Sequence, residues 1–104
     1  MKDVLPAAAD CFVRLGVDLI SHRWDAVVLT ALRTGSARRV DLLSAIGGIS
    51  DKSLHESLFR LSRRGLVGRD GTTYCLTSTG SSLANGPILA LAQWAETNHR
   101  SLGI

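Results

Sequence analysis

The sequence predicts a mainly α-helical domain with one small β-hairpin, and three features of residues 37–71 support this prediction. Apolar residues recur at helical spacing in 40–46 and again in 54–61. A Gly47-Gly48 pair separates these two segments. Asp70-Gly71 lies between two short strand-like runs and is typical of a two-residue hairpin turn, in which both turn positions need a positive φ. A helix pair followed by a hairpin can place its second helix in a DNA major groove.

The remaining elements follow from periodicity and from capping residues. We predict helices at about 11–21, 24–34, 38–46, 51–64 and 78–98, and strands at 66–69 and 72–76. Asp10 is the expected N-cap of the first helix, Ser50 that of the fourth, and Thr77 or Ser78 that of the last, because their side-chain oxygens can accept orphan amide hydrogens. Gly35 and Gly65 are expected to end helices. Pro87 predicts a kink or a restart in the last helix, because proline lacks an amide hydrogen.

Composition predicts one folded domain over residues 1–104. The chain is 45% hydrophobic and 20% charged, which is sufficient for a core and unlike a disordered tail. No apolar run approaches the roughly 20 residues that span a membrane, so we expect a cytoplasmic protein with no membrane partner. Cys11 and Cys75 do not form a disulfide framework and are expected to be thiols.

Positive charge is concentrated in the middle of the chain. The net charge is +3, and arginine outnumbers lysine ten to two. Between Arg33 and Arg69 there are eight cationic residues against Asp41, Asp51 and Glu56. Clustered cations gain from counterion release on a phosphate backbone, so a polyanionic partner is one hypothesis. A solvated surface is the other, and composition alone does not decide between them.

The helix predicted at about 50–64 divides into a packing face and a polar face. Leu54, Leu58 and Leu61 form the apolar stripe, and His55 and Phe59 beside it are expected to pack. The predicted DNA-contacting residues of this helix lie outside the stripe: Ser50, Lys52, Ser53, Glu56, Ser57, Arg60, Arg63 and Arg64. Arg38, Arg39 and Arg69 are predicted phosphate contacts, which position a protein on DNA without specifying sequence.

Several short motifs occur in an order that resembles HxlR-type winged helix-turn-helix transcriptional regulators, within the MarR-like group. The resemblance covers about residues 10–97. The matching pieces are Cys11-Phe12-Val13, Asp18 to Trp24, Ile49 to Leu54, Arg64-Gly65-Leu66-Val67, Tyr74-Cys75-Leu76-Thr77, Gly80, Leu83, Pro87 and Trp94. Each piece is weak alone, and the ordered set is fairly specific.

The resemblance implies a regulator without enzyme activity that binds double-stranded DNA as a homodimer. The first and last helices would pair across the two-fold axis, and the implied interface residues are Phe12, Leu15, Leu89, Leu91 and Trp94. The fourth helix would contact bases, and the hairpin would contact the backbone or the minor groove. Dimer symmetry would match an inverted-repeat operator.

Three departures from the family pattern keep other functions open. The hairpin is shorter than the usual wing, Glu56 and Ser57 replace the frequent glutamine and arginine, and Cys11 lacks a following proline. Glu56 would repel phosphate but could accept a hydrogen bond from cytosine. The alternatives are a regulator that depends on a protein partner for DNA affinity, or a winged-helix protein-interaction module.

Cys11 is the candidate sensor of an oxidant or another small molecule. A thiol at a helix N-terminus is activated by the helix dipole, and related regulators that sense quinones or oxidants use a cysteine at the matching position. The alternative is a buried packing residue. Cys75 is expected to pack, and Trp24 and Trp94 are expected in the core or dimer interface, with space beside them for a small aromatic effector.

No cofactor, metal site or catalytic group is predicted. His22, His55 and His99 show no metal-ligand spacing with either cysteine. No glycine-rich phosphate loop follows a strand, and no nucleophile–base pair is visible.

Overall fold

The computed structural model describes the backbone of residues 6–104 and the side chains of residues 11–104. Five helical segments and a three-stranded antiparallel sheet make up this part of the chain, so the predicted fold class is confirmed. The helices are α1 (Pro6–Ile20), α2 (Asp25–Ala31) with a 3₁₀ turn (Leu32–Thr34), α3 (Arg39–Ile46), α4 (Asp51–Arg63), and α5 (Ser78–Leu83), which continues through a π turn (Ala84–Ile88) into α6 (Leu89–Asn98). The strands are β1 (Ala37–Arg38), β2 (Val67–Asp70) and β3 (Thr73–Leu76), in the order β1-β3-β2.

The ends of α4 are fixed as the sequence predicts. Ser50 Oγ accepts a hydrogen bond from the Ser53 amide at 3.0 Å, which satisfies one orphan donor of the first turn. At the other end, Gly65 has φ +73°. The Leu66 amide donates to the Leu61 carbonyl and the Gly65 amide to the Ser62 carbonyl, which is the hydrogen-bond pattern of a Schellman motif. These two caps fix where α4 begins and ends, between the α3–α4 turn and the sheet.

The start of α5 is attached to the junction between α4 and β2. Thr77 Oγ1 accepts from the Gly80 amide at 3.0 Å and donates to the Gly65 carbonyl at 2.6 Å. The Thr77 amide donates to the Leu66 carbonyl at 3.1 Å. Gly80 packs so closely that a Cβ there would lie 1.9 Å from the Leu66 carbonyl oxygen. These contacts fix the base of the hairpin against the last helix.

One hydrophobic core lies between α2, α4 and the start of the sheet. Its members are all less than a tenth exposed: Val28, Leu29, Leu32, Leu42, Ile49, Leu54, Leu58, Leu61, Leu66, Val67, Ala84 and Ile88. The predicted stripe Leu54, Leu58 and Leu61 is therefore confirmed as core. Burying such side chains contributes about 1.5–3 kcal/mol each.

The hairpin turn lies one residue later than predicted. Asp70 pairs with Thr73, so the two turn residues are Gly71 and Thr72. Gly71 has φ +63°, and none of the described non-glycine residues has a positive φ, so only one turn position needs the left-handed region. Glycine at the first turn position is the preference of a type II′ turn, whereas the predicted type I′ turn needs two positive φ values.

Two further elements differ from the sequence prediction. Arg38 does not open α3; it belongs to β1, which pairs Ala37 with Tyr74 and Arg38 with Thr73. The last helix does not restart at Pro87, because it continues without interruption through the π turn at Ala84–Ile88. Proline has no amide hydrogen with which to complete the i→i−4 hydrogen bonds of an α-helix. The wider π turn has a different hydrogen-bond pattern.

The first helix begins earlier than predicted, because the described part of α1 already includes Pro6. Asp10 is therefore inside α1 and is not its N-cap. Within the described residues, no helix has the length and apolar character needed to cross a bilayer.

Candidate nucleic-acid interface

The outward face of α4 carries four residues at helical spacing. Lys52, Glu56, Phe59 and Arg63 recur at i, i+4, i+7 and i+11, and all four are exposed. They lie opposite the buried Leu54, Leu58 and Leu61. We call these four residues the outer row. His55 is also exposed, beside this row on the hairpin side. The expectation that His55 and Phe59 pack into the core is therefore wrong.

Two of the predicted DNA-contacting residues on α4 belong instead to a buried polar cluster. Ser57 is fully buried, and its hydroxyl donates to Asp25 Oδ1 at 2.7 Å. Arg60 Nη2 donates to Asp25 Oδ1 at 2.7 Å and Arg60 Nε to Asp25 Oδ2 at 3.0 Å. This is a bidentate arginine–carboxylate pair. Ser57 and Arg60 are therefore removed from the candidate DNA interface.

The cluster couples the start of α2 to the middle of α4. Asp25 is 0% exposed, and the Arg60 side chain is 30% exposed. The hydrogen bond to Asp25 is the main cause that raises the pKa of Arg60 above its ordinary value; burial opposes this, and the negative charges of Asp25 and Glu56 add to it. All three polar groups of the cluster are satisfied, so it fixes how α4 sits on α2.

Sequence reasoning missed Asp25, although the sequence carries a signal for it. Val28, Leu29 and Leu32 follow Asp25 at i+3, i+4 and i+7, which places a carboxylate in the middle of an apolar helix face. Ser57 has an equivalent position among the leucines of α4. A polar residue at such a position predicts a buried hydrogen-bonded pair.

The first turn of α4 presents one cation and two linked serines. Lys52 is exposed, and no ion pair or hydrogen bond to its ammonium group is found within residues 11–104. Ser50 Oγ donates to Ser53 Oγ at 3.0 Å, and Ser53 is half-buried. Ser50 therefore acts as a cap, and its hydroxyl is already used inside the helix.

A groove separates α4 from the hairpin, and cations line it. It has a volume of about 720 Å³ and is bounded by Arg39, Asp51, Lys52, His55, Arg69 and Tyr74. Arg69 donates to the Gly71 carbonyl at 2.8 Å, and its guanidinium lies 5.4 Å from the centre of the Tyr74 ring. Arg39 pairs with Asp51 across the α3–α4 turn, and Arg38 pairs with Asp41 at 3.2 Å.

The two arginines at the end of α4 point in different directions. Arg63 lies over the Phe59 ring, 5.7 Å from its centre, and extends the outer row. Arg64 donates to the Asp18 carbonyl of α1 at 3.3 Å, so it is turned toward α1 and away from the groove. Arg64 is therefore also removed from the candidate DNA interface.

Comparison with known proteins identifies the family. The model of the HxlR-like helix-turn-helix family matches residues 19–102. This chain belongs to that family. The HTH-type transcriptional regulator YtfH of Escherichia coli is 35% identical over an alignment of 98 residues that covers 88% of this chain and 77% of YtfH. YvaP of Bacillus subtilis, of the same type, is 36% identical over an alignment of 87 residues that covers 76% of this chain and 79% of YvaP.

Solved structures agree with the assignment to the HxlR-like family. The quinone-bound YodB of B. subtilis has a TM-score of 0.75 at 27% identity, covering 82% of this chain and 96% of YodB. A MarR-family regulator from Enterococcus faecalis has a TM-score of 0.80 at 23% identity over 98% of both chains, a likeness of fold. The HxlR-like chain is therefore a helix-turn-helix transcriptional regulator and not an enzyme.

Two helices of this HxlR-like chain leave apolar side chains in solvent. On α1 these include Phe12 and Leu15, and on α6 they include Leu91 and Trp94. Leu89 is half-buried. Monomeric proteins rarely expose large contiguous apolar surfaces, so these two helices offer the surface that a dimer would cover.

Both cysteines of this HxlR-like chain are free, and Cys11 is exposed. Cys11 is the sixth residue of α1, so it does not lie at the helix N-terminus, and the expected activation by the dipole has no basis. Its exposure also excludes a buried packing role within one protomer. Among residues 11–104, no three His, Cys, Asp or Glu side chains are grouped as metal ligands would be.

Proposed function

We propose that this HxlR-like regulator binds an inverted-repeat operator as a homodimer, with one α4 helix in each of two successive major grooves. In this docking mode the two recognition helices lie about 34–36 Å apart. The observation that carries the proposal is the outer row of α4, which stands exposed beside a cationic groove. The proposed DNA contacts are Arg38, Arg39, Lys52, Ser53, Glu56, Arg63 and Arg69, and Ser50 is left out because its hydroxyl caps α4.

The arginines around the groove can exchange their present partners for DNA phosphates at little cost in free energy. Arg38 and Arg39 pair with carboxylates that are more than half exposed. Exposed ion pairs contribute about 0–1 kcal/mol, so exchange for phosphate costs little. Arg69 lies at the hairpin, where a two-residue turn limits its reach into a minor groove. We therefore assign Arg38, Arg39 and Arg69 to backbone contacts, which fix register.

Selection from a random pool of DNA duplexes tests the proposal. The full chain should enrich one sequence that contains two inverted half-sites about one helical turn apart. Enrichment of no sequence would contradict the proposal, and it would favour the alternative of a protein-interaction module.

The substitution Lys52→Ala should weaken binding to the selected duplex and reduce the salt dependence. We assign the exposed Lys52 ammonium group to a phosphate contact, and removing one such contact lowers the slope of log K against log salt by about one unit. Fluorescence anisotropy at several salt concentrations measures this slope. The matched control is Arg100→Ala, which removes the same charge from an exposed position beyond α6 and should leave the slope unchanged. Equal effects of the two variants would mean that only net charge matters and would contradict the assignment of Lys52.

The dimer part of the proposal predicts that Trp94→Asp separates the protomers. Trp94 is 54% exposed on α6, and a carboxylate buried between two copies would be desolvated without a partner. Light scattering should give about twice the 11.1 kDa chain mass for the unaltered protein and the chain mass for Trp94→Asp. The control is Val40→Asp on α3, where Val40 is 58% exposed, and it should stay dimeric. A dimer that survives Trp94→Asp would place the interface elsewhere.

We include in the proposal a response to a small molecule or oxidant. An apolar groove of about 470 Å³ lies between α2, α3 and α6, and Val27, Ile46, Ile88 and Leu91 are among its lining residues. Neither Trp24 nor Trp94 is among its lining residues, so this groove is a second candidate site besides the one expected beside the tryptophans. Its size suits a small ligand, and YodB was solved with a quinone bound.

Cys11 stays the candidate sensor because it is exposed on α1. Iodoacetamide treatment of the folded protein, read by mass spectrometry, should modify it. Absence of modification without denaturant would remove Cys11 from the proposal.

The proposed site of action of this regulator is the cytoplasm, because the DNA that it would bind lies there.

A further inference from the structure

Phe59 is a large aromatic side chain exposed among charged residues. It is 58% exposed on the outer row, between the positions of Glu56 and Arg63. The core of this domain is formed by the opposite face of α4, so Phe59 is not needed to hold the fold. Apolar side chains, phenylalanine among them, make direct contacts in the DNA major groove, so a phenyl ring exposed on the helix face proposed to enter that groove is a candidate for such a contact.

The position of Phe59 fits a base-contacting residue. His55, Glu56 and Phe59 are spaced i, i+1 and i+4, and all three are exposed. In homeodomains, another helix-turn-helix group, three of the recognition-helix residues that contact the major groove have the same spacing. Phe59 would then lie at the floor of the DNA major groove, further along α4 than the residues of its first turn.

Only one group in the major groove is apolar, namely the C5-methyl of thymine. A phenyl ring has no conventional hydrogen-bond donor or acceptor to offer the polar edges of guanine, cytosine or adenine. We propose that Phe59 contacts a thymine methyl, so that each half-site carries a thymine at the position facing the second half of α4. This inference rests on the proposed function, because it requires α4 to lie in the major groove.

Arg63 supports this contact. Its guanidinium lies 5.7 Å from the centre of the Phe59 ring, within the range of a cation–π interaction, and this restricts the ring to one side of the helix. The same cation also suits a phosphate next to the contacted thymine. A protein partner would have to bring apolar groups to Phe59 between the two cations Lys52 and Arg63. The phosphates of DNA, by contrast, complement both positive charges.

The first experiment compares the sequences selected by three forms of the full chain. The unaltered protein and Phe59→Leu should both enrich a thymine at one position of each half-site. Phe59→Ala should lose that preference while keeping the rest of the site. Thermal unfolding of Phe59→Ala should match that of the unaltered protein, because the side chain is exposed.

The second experiment removes only the methyl group from the DNA. Deoxyuridine in place of the selected thymine should weaken binding of the unaltered protein about fourfold per methyl, from the transfer free energy of one buried CH₂. Phe59→Ala should bind the two duplexes equally. Deoxyuridine outside the half-sites is the control and should have no effect.

The outcomes separate this inference from the proposed function. If the unaltered protein selects no sequence, the proposed function fails and the inference with it. If it selects a site, and either that site holds no preferred thymine or deoxyuridine weakens both proteins equally, the inference alone is overturned. A loss of affinity for Phe59→Ala that is the same on every sequence would show a contact without base preference and would also overturn it.

Discussion

Asp25→Ala should destabilise the folded protein by about 3 kcal/mol, because it leaves the Arg60 guanidinium and the Ser57 hydroxyl without their shared acceptor. Breaking a buried ion pair from one side typically costs about 3–5 kcal/mol. We expect the lower end of that range, since Arg60 is 30% exposed and can recover some hydration. A small domain has about 5–15 kcal/mol in total, so the change should be large in a urea unfolding curve.

The matched control for Asp25→Ala is Asp41→Ala. Asp41 also pairs with an arginine, at 3.2 Å, but both side chains are more than half exposed. Its loss should cost less than about 1 kcal/mol. The Asp25→Ala/Arg60→Ala double variant should cost less than the sum of the two single variants, because the groups interact directly. Additive costs, or equal effects at Asp25 and Asp41, would show that the buried cluster does not stabilise the fold.

Gly80→Ala should destabilise the protein by at least about 2 kcal/mol, although alanine favours helices over glycine by about 1 kcal/mol. A Cβ at this position would lie 1.9 Å from the Leu66 carbonyl oxygen and 2.8 Å from the Leu66 carbonyl carbon. Both are backbone atoms, so no side-chain rotation relieves the overlap. The same Leu66 carbonyl accepts from the Thr77 amide, so α5 must move away from the base of the hairpin.

Thr79→Ala is the control for Gly80→Ala. Thr79 is exposed on the same turn of α5, and its replacement should change the free energy of unfolding by less than about 0.5 kcal/mol. Urea unfolding followed by circular dichroism measures both variants. A Gly80→Ala protein as stable as the unaltered one would mean that α5 does not pack on Leu66 as described.

Local patterns predicted much of this fold. The leucine stripe of α4, the Ser50 cap and the Gly65 end follow from neighbours within a few residues, and the structure has all three. The predicted start of α1 and the predicted hairpin turn differ from those in the structure, because several nearby residues could begin a helix or occupy a turn. The π turn at Pro87 could not be foreseen, since it depends on how the last helix packs.

The candidate site was harder to predict because exposure depends on distant elements. Ser57 and Arg60 carry the polar groups expected of a DNA contact, but Asp25, more than 30 residues earlier, turns both inward. Phe59 is apolar and is predicted to pack, yet it is 58% exposed, with the Arg63 guanidinium over its ring. Helical periodicity fixes which residues share a face, and tertiary contacts decide what that face meets.

The most direct test of the central claim is a map of amide chemical shifts while isotope-labelled protein is titrated with the selected duplex. We expect the largest changes on the outer row of α4, Lys52, Glu56, Phe59 and Arg63, and on Arg39 and Arg69 beside the groove. We expect small changes along α6, which is assigned to the proposed dimer interface. Large changes confined to α6 or α1, with the amides of α4 unmoved, would contradict the account.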